Sequence, residues 1–285
     1  METLQNPLTL AAEIERNVLV ALAEDIGGGD LTALLTPADR CSQGAVISRE
    51  NAVLAGTDWF NACFHRLDPM AAIRWTVHDG EKVHAGQTLC QIEANTRALL
   101  TAERAALNFV QLLSATATVT RDYVDAVSGT RARIVDTRKT LPGLRLAQKY
   151  AVTCGGGTNH RLGLYDGLLI KENHIIAAGG VVPALERARA IAHGDAFIQI
   201  EVETLAQLSE ALDAGARLIL LDNMSLAQMR EAVALTAGRA QLEASGGVSL
   251  ETVRSIAQTG VDRISIGSLT KDVRAIDLSL RHSEA

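Results

Sequence analysis

Residues 196–222, AFIQIEVETLAQLSEALDAGARLILLD, decide the fold class. Two apolar runs in this stretch, AFIQIEVE and RLILLD, are typical of buried strands, and TLAQLSEALDAG between them has the apolar spacing of a helix. A strand, a helix and a second strand in this order form a βαβ unit, whose two strands are parallel. The stretch therefore predicts a parallel sheet covered by helices.

Further strand-like runs repeat this pattern through the second half of the chain. They are RARIVD (131–136), DGLLIK (166–171), AQLEAS (240–245) and DRISIG (262–267), with helical segments between them. No GxGxxG motif follows the first strand, so the pattern favours an α/β barrel over a doubly wound sheet. Residues 44–98 differ, because short β-prone runs alternate there with turn residues, and Asp79-Gly80 predicts a hairpin. Residues 44–98 therefore predict a small α+β domain.

The composition excludes several protein classes. The chain has 285 residues, of which 47% are hydrophobic, so it can bury the core of a barrel-sized domain. Its net charge of −6 disfavours a nucleic-acid-binding protein. No apolar run approaches the ~20 residues of a membrane span, and the N-terminus lacks the basic region of a signal peptide. We therefore expect a cytoplasmic protein with neither nucleic-acid nor membrane partners.

One segment of this acidic chain is strongly cationic. From Thr137 to Tyr165 there is no Asp or Glu, but there are Arg138, Lys139, Arg145, Lys149, His160 and Arg161. Charged runs are usually solvated loops. Here, however, the charges alternate with glycines, including the triplet at 155–157, and the segment follows a predicted strand. The pattern favours a pocket for an anionic ligand.

The predicted strands end in residues that can bind ligands or catalyse reactions. In a parallel α/β barrel such side chains meet at the carboxyl ends of the strands. A single charged strand end is ordinary capping, but the pattern recurs here from strand to strand. In chain order the residues are Asp136, Arg138, Lys139, Lys171, Glu201, Glu203, Asp222, Asn223, Glu243, Ser245 and Gly267.

Three of these groups suggest specific chemistry. Glu201 and Asp222 could bind a divalent cation through their oxygens, as magnesium requires. Lys171 could form a Schiff base or provide a fixed positive charge, and the sequence does not decide between them. Residues 245–247, Ser-Gly-Gly, precede a helix that starts after Ser249, and such a turn can bind a phosphate through its backbone N–H groups.

Several segments, taken in order, resemble the quinolinate phosphoribosyltransferases. They include DTRKTLPGLR (136–145), KYAVTCGGGTNHRLGLYDGLLIKENH (149–174), LLDNM (220–224) and EASGGV (243–248). These pentosyltransferases transfer the phosphoribosyl group of phosphoribosyl diphosphate to quinolinate with decarboxylation. The products are nicotinate mononucleotide, carbon dioxide and diphosphate, in de novo NAD biosynthesis.

The resemblance also implies an architecture and a cofactor. It implies an incomplete (β/α) barrel at residues 103–272 and a smaller N-terminal α+β domain at residues 1–102, on which the tail at about 273–285 packs. It implies a homodimer with shared active sites, in which one subunit's N-terminal region completes the site of the other. Magnesium would bind with phosphoribosyl diphosphate, and no organic cofactor is expected.

The resemblance assigns roles to individual residues. Arg138, His160, Arg161 and Lys171 would bind the two carboxylates of quinolinate, with Arg104 reaching in from the partner subunit. Thr137 and Lys139 would lie beside phosphoribosyl diphosphate, and Glu201 and Asp222 would position its ribose hydroxyls and magnesium. The expected catalytic residues are Lys139, Lys171, Glu201 and Asp222. The residues expected to bind the 5-phosphate are Ser245, Gly246, Gly247, Ile266, Gly267 and Ser268.

Three other functions stay open at this point. A phosphoribosyltransferase could act on another heteroaromatic acid, although the number of cations favours a substrate with two carboxylates. A barrel aldolase could use Lys171 as its Schiff-base lysine. A non-catalytic barrel could bind a metabolite, but it would not need Glu201 and Asp222 beside a phosphate site.

Overall fold

The computed structural model describes residues 7–284, with side chains from residue 10 to residue 282. Residues 1–6 and 285, which the predicted domains include, lie outside the described residues. The chain forms two compact units. The N-terminal unit comprises residues 7–121, 140–156 and 269–284, and the parallel-sheet unit comprises residues 122–139 and 157–268. The predicted domain boundary at residue 102 stays a prediction.

Strands and helices alternate through most of the chain. The strands are β1 (Cys41–Ser48), β2 (Ala52–Val53), β3 (Ala72–Trp75), β4 (Lys82–Val83), β5 (Thr88–Asn95), β6 (Arg133–Val135), β7 (Gly167–Ile170), β8 (Phe197–Val202), β9 (Leu218–Asp222), β10 (Gln241–Ser245), β11 (Arg263–Ser265) and β12 (Leu278–Glu284). The helices are α1 (Pro7–Ile26), α2 (Thr57–Leu67), α3 (Thr96–Ala126), α4 (Arg145–Cys154), α5 (Glu172–Ala178), α6 (Val181–Ile191), α7 (Leu205–Asp213), α8 (Leu226–Thr236), α9 (Leu250–Ala257) and α10 (Ser268–Lys271).

The N-terminal unit contains a four-stranded antiparallel sheet in the order β12-β1-β5-β3, and β2 pairs separately with β4. The hairpin predicted at Asp79-Gly80 is therefore wrong, because the flanking strands β3 and β4 pair with different partners. Gly80 does make a turn, with φ of +91°. The Asp79 carboxylate accepts hydrogen bonds from the backbone N–H groups of Gly56 and Thr57, so it caps the start of α2.

Helix α2 contributes the large aromatic side chains of this unit's core. Trp59, Phe60 and Phe64 are all fully buried. The Trp59 Nε1–H group donates to Asn17 Oδ1 at 3.0 Å, which satisfies the one polar atom of the indole inside the core. Buried apolar residues of α1, α3 and the antiparallel sheet surround these rings, so the α+β unit has a core of its own.

The parallel-sheet unit contains six strands in the order β6-β11-β10-β9-β8-β7, and all neighbouring pairs are parallel. All six strands predicted from apolar runs are present. Among the described residues, no strand pairing joins β6 to β7, and Val135 of β6 instead forms a parallel bridge with Thr158. The prediction of an α/β fold that combines an incomplete parallel barrel with an antiparallel N-terminal α+β part is confirmed.

Helices α5, α7, α8, α9 and α10 begin within a few residues of the ends of β7, β8, β9, β10 and β11. Thr204 caps α7 by accepting a hydrogen bond from the backbone N–H of Gln207, and Ser225 caps α8 in the same way through Gln228. Because Asp222 and Ser245 are partners in the β9–β10 register, they reach the same sheet edge together. No helix in the described part of the chain is both long and apolar enough to cross a membrane.

Candidate active site

A cavity of about 230 Å³ lies in the parallel-sheet unit, among the residues at the carboxyl ends of its strands. Parallel α/β proteins bind their ligands at this edge. The sequence-predicted residues that line it are Thr137, Arg138, Lys139, His160, Arg161, Lys171, Glu201 and Ser245. Its other lining residues are Asp136, Leu169, Leu220, Glu243 and Ser265.

The cavity carries a cluster of positive charges. The Arg161 guanidinium donates from Nη1 to the backbone oxygen of Gly167 at 2.9 Å. Burial lowers the pKa of Arg161, and the nearby charge of Arg138 lowers it further, although Asp166 opposes the shift. The buried Nε of Arg138 has no hydrogen-bond partner among the described residues. The repulsion between Arg138 and Arg161 and the unpaired Arg138 donor favour an anionic ligand in this cavity.

Lys171 follows β7 and lies opposite Glu201 of β8. The Lys171 ammonium and the Glu201 carboxylate form an ion pair with an Nζ–Oε2 distance of 3.0 Å, and the lysine side chain is 51% exposed. A Schiff-base lysine requires a neutral amine, which desolvation or a neighbouring cation favours. Lys171 is instead exposed and lies beside a carboxylate. This geometry disfavours the aldolase alternative.

Two glycine turns lie at the same edge of the sheet. Gly246 has φ of +105°, and a side chain there would collide with the Asn223 side chain, so the position requires glycine. A Cβ atom at Gly267 would lie 2.9 Å from Lys139 Cδ and 3.6 Å from Thr137 Oγ1. Gly267, the second residue beyond β11, is therefore close to the residues that follow β6.

Several predicted residues lie outside the lining of the cavity. Glu201 and Glu203 are two residues apart, a spacing that predicts one shared, buried strand face. This prediction is wrong, because Glu203 is exposed beyond the end of β8. Arg104 belongs to the N-terminal unit, where its exposed side chain lines another cavity, of about 390 Å³. The other predicted residues at strand ends that do not line the cavity are Asp222, Asn223, Gly246, Gly247, Ile266, Gly267 and Ser268.

The sequence matches two domain families in tandem. Residues 30–114 match the quinolinate phosphoribosyl transferase N-terminal domain, and residues 116–281 match the C-terminal domain of the same enzyme. The chain belongs to the quinolinate phosphoribosyltransferase family. Both family domains follow one another here in the order that the resemblance of the sequence motifs implies.

Named relatives of the family cover nearly the whole chain. The carboxylating nicotinate-nucleotide pyrophosphorylase of Mycobacterium leprae is 46% identical over 267 residues, which cover 91% of this chain and 94% of the relative. A mitochondrial, decarboxylating quinolinate phosphoribosyltransferase of Nicotiana tabacum is 41% identical over 92% of this chain and 80% of its own length. The solved nicotinate-nucleotide pyrophosphorylase of Francisella tularensis has a TM-score of 0.92 and 44% identity, covering 95% of this chain and 96% of that chain.

A buried polar network lies behind the cationic cluster of this family member. It consists of Asp136, His160, Gln199 and Glu243, all at most 7% exposed. The sequence places Asp136 and Glu243 at strand ends without assigning them a role, and Gln199 was missed. The available signal for Gln199 is its position in FIQIEV, where it is a polar residue on the same strand face as Glu201.

Proposed function

We propose that this protein transfers the phosphoribosyl group of phosphoribosyl diphosphate to quinolinate with decarboxylation, and so produces nicotinate mononucleotide for de novo NAD biosynthesis. The observation that carries the proposal is the cluster of Arg138, Arg161 and Lys171 around one strand-end cavity of a quinolinate phosphoribosyltransferase family member. Quinolinate has two carboxylates, and several fixed cations are required to bind it beside a diphosphate ester. A site specific for nicotinate would need cations for only one carboxylate of the acid.

The reaction requires mainly positioning and charge stabilisation from the protein. The pyridine nitrogen attacks C1 of the ribose, and diphosphate leaves with the electron pair of the broken C–O bond. The positively charged ring then accepts the electron pair that remains when carbon dioxide departs, and a proton replaces the lost carboxylate. The carboxylate of Glu201 suits the positive charge that develops on the ribose, whereas Lys139 suits the departing diphosphate.

Magnesium fits this site as a companion of the substrate's phosphates. The described residues contain no cluster of three or more His, Cys, Asp or Glu side chains that would hold a resident metal ion. Mg²⁺ typically uses one or two protein carboxylates and completes its coordination with water and substrate phosphates. We assign Glu201 and Asp222 as those carboxylates. Bound there, the ion would supply positive charge that stabilises the leaving diphosphate.

The proposal includes the assembly and location of the enzyme. We propose a homodimer with shared active sites, in which Arg104 of each subunit serves the pocket of its partner. The exposed position of Arg104 on α3 supports this role. We also propose a cytoplasmic location. The acidic net charge of −6 supports the absence of a nucleic-acid partner.

The direct test is release of labelled carbon dioxide. Purified protein is incubated with quinolinate labelled in its 2-carboxylate, phosphoribosyl diphosphate and Mg²⁺. We expect labelled carbon dioxide and nicotinate mononucleotide in equal amounts, with no release when phosphoribosyl diphosphate is omitted. Nucleotide formation from nicotinate but not from quinolinate would overturn the substrate assignment. Borohydride trapping of Lys171 with a carbonyl compound would instead support the aldolase.

Chelation is expected to stop the reaction, and added Mg²⁺ is expected to restore it. Asp222→Asn should raise the Mg²⁺ concentration for half-maximal rate by about tenfold or more, because the loss of a group that supports a bound metal typically costs about 10–100-fold in affinity. The measurement is initial rate against free Mg²⁺. Glu231→Gln, which changes an exposed carboxylate of α8, is the matched control and should behave as wild type. Full activity in excess EDTA would contradict the metal assignment.

A further inference from the structure

A chain of hydrogen bonds runs from Arg161 into the interior of the parallel-sheet unit. The backbone N–H of Arg161 donates to His160 Nδ1 at 2.7 Å, and His160 Nε2 lies 2.7 Å from Gln199 Oε1. Gln199 Nε2 donates to Glu243 Oε2 at 3.1 Å, and Arg263 Nε lies 3.1 Å from the same carboxylate oxygen. The side chains of His160, Gln199 and Glu243 are all buried.

From Arg161 to Glu243, each group in this chain donates a hydrogen bond to the next one. His160 Nδ1 accepts the Arg161 backbone N–H, so its lone pair is occupied and the ring proton must be on Nε2. That proton is donated to the Gln199 carbonyl oxygen. The amide nitrogen of Gln199 is then left to face the Glu243 carboxylate, which can only accept when it is ionised. Reversal of any one member would place two donors or two acceptors together.

Gln199 is the central member of this chain, because it is an acceptor toward His160 and a donor toward Glu243. A carboxylate at this position would face a second buried carboxylate. An apolar side chain would remove the acceptor of the His160 Nε2–H group and one donor of the Glu243 carboxylate. Phe197, two residues earlier on the same face of β8, packs the edge of its ring against His160 with centroids 5.3 Å apart. The imidazole is therefore held by β8 both through packing and through a hydrogen bond.

The position of the His160 imidazole determines the position of the Arg161 backbone. The Arg161 backbone is anchored to His160 Nδ1, and its guanidinium is anchored to the backbone oxygen of Gly167. Arg161 lines the strand-end cavity, whereas Gln199 does not. We infer that Gln199 is a positioning residue, which holds His160 as the Nε2–H tautomer and thereby directs Arg161 toward a carboxylate of the substrate. This inference rests on the proposed function for the identity of that substrate.

The test replaces Gln199 by methionine, which has a similar length and neither hydrogen-bonding group. We expect the dissociation constant for quinolinate, measured by calorimetry without the second substrate, to rise about tenfold or more. The KM for phosphoribosyl diphosphate should change by less than about threefold, because none of its proposed contacts, including Glu201 on the same strand, is a member of this hydrogen-bond chain. Gln43→Met, at an exposed position of β1, is the control and should leave both constants unchanged.

A second readout follows the imidazole itself. In protein labelled with ¹⁵N-histidine, the His160 signals, assigned by their loss in His160→Asn, should show an unprotonated Nδ1 and a protonated Nε2 in wild type. In Gln199→Met they should shift toward a mixture of the two tautomers. If Gln199→Met does not fold, Gln199→Met/Glu243→Gln removes the buried charge as well and should give the same weak quinolinate binding.

The outcomes separate this inference from the proposed function. A wild-type protein that neither binds quinolinate nor releases carbon dioxide would overturn the proposed function. An active wild type together with variants that retain normal quinolinate affinity would overturn the role of Gln199. The role of Gln199 would also be overturned if both substrates bound equally more weakly and the His160 tautomer did not change. A general loss of packing would then explain the result.

Discussion

Arg161→Ala is expected to lower kcat/KM for quinolinate by between about 30-fold and a few thousandfold while the chain stays folded. Truncating one partner of a desolvated, hydrogen-bonded charge pair costs about 2–5 kcal/mol. Arg161 is partly buried in the cavity, and burial and Arg138 already depress its pKa, so an anionic ligand would be its main source of favourable charge interaction. Steady-state kinetics and thermal unfolding of the same preparation measure the two effects.

The control for this variant is Arg187→Ala, which removes an exposed arginine from α6 of the same unit. It should keep wild-type kinetics. Arg161→Lys retains the charge but loses the planar fork of donors, so we expect it to recover only part of the lost activity. Near-normal turnover of Arg161→Ala would refute the assignment of this cavity as the carboxylate-binding site.

Mixing two inactive variants is expected to restore about a quarter of the wild-type activity. Arg104→Ala should inactivate the pocket of the partner, whereas Lys139→Ala should inactivate the pocket of its own subunit. In a mixed dimer, one pocket then contains both changes and the other contains neither. Random exchange makes half of the dimers mixed, and each mixed dimer has one intact site of two. The measurement is specific activity after joint denaturation and refolding.

This complementation experiment has a clear opposite outcome. A tag on one variant confirms by pull-down that subunits have exchanged. If exchange is complete and activity stays at the level of the separate variants, Arg104 acts in its own subunit or has no role in the site. Refolded wild type, mixed with itself, corrects for losses during the procedure.

The strands of the parallel sheet could be predicted from sequence because each one is a compact apolar run bounded by turn residues. The prediction failed where partner choice decides the structure. Asp79-Gly80 has the sequence of a hairpin turn, but β3 finds its partner in β5, and the Asp79 carboxylate caps α2 instead. Local turn chemistry reports a change of chain direction and carries no information about which strands then pair.

The candidate site shows the same limit at the level of side chains. Arg138, Arg161 and Lys171 could be predicted, because charged residues are conspicuous beside strands whose ends must meet. Gln199 has no charge, and its importance depends on two neighbours, His160 and Glu243, that lie far from it in sequence. Only the folded structure shows that these three side chains form one chain of donors and acceptors.

The pairing of β6 with β11 has a consequence for the order in which the protein assembles during translation. The register joins Arg133 to Arg263, so β6 has to wait on the ribosome until its partner emerges at the far end of the sequence. A nascent chain that stops before β11 already contains Arg138, Arg161 and Lys171, but β6 can then pair only through its bridge to Thr158. The strands from β7 to β10 pair with sequence neighbours and can form earlier. We therefore expect the strand-end cavity to be among the last parts of the protein to form.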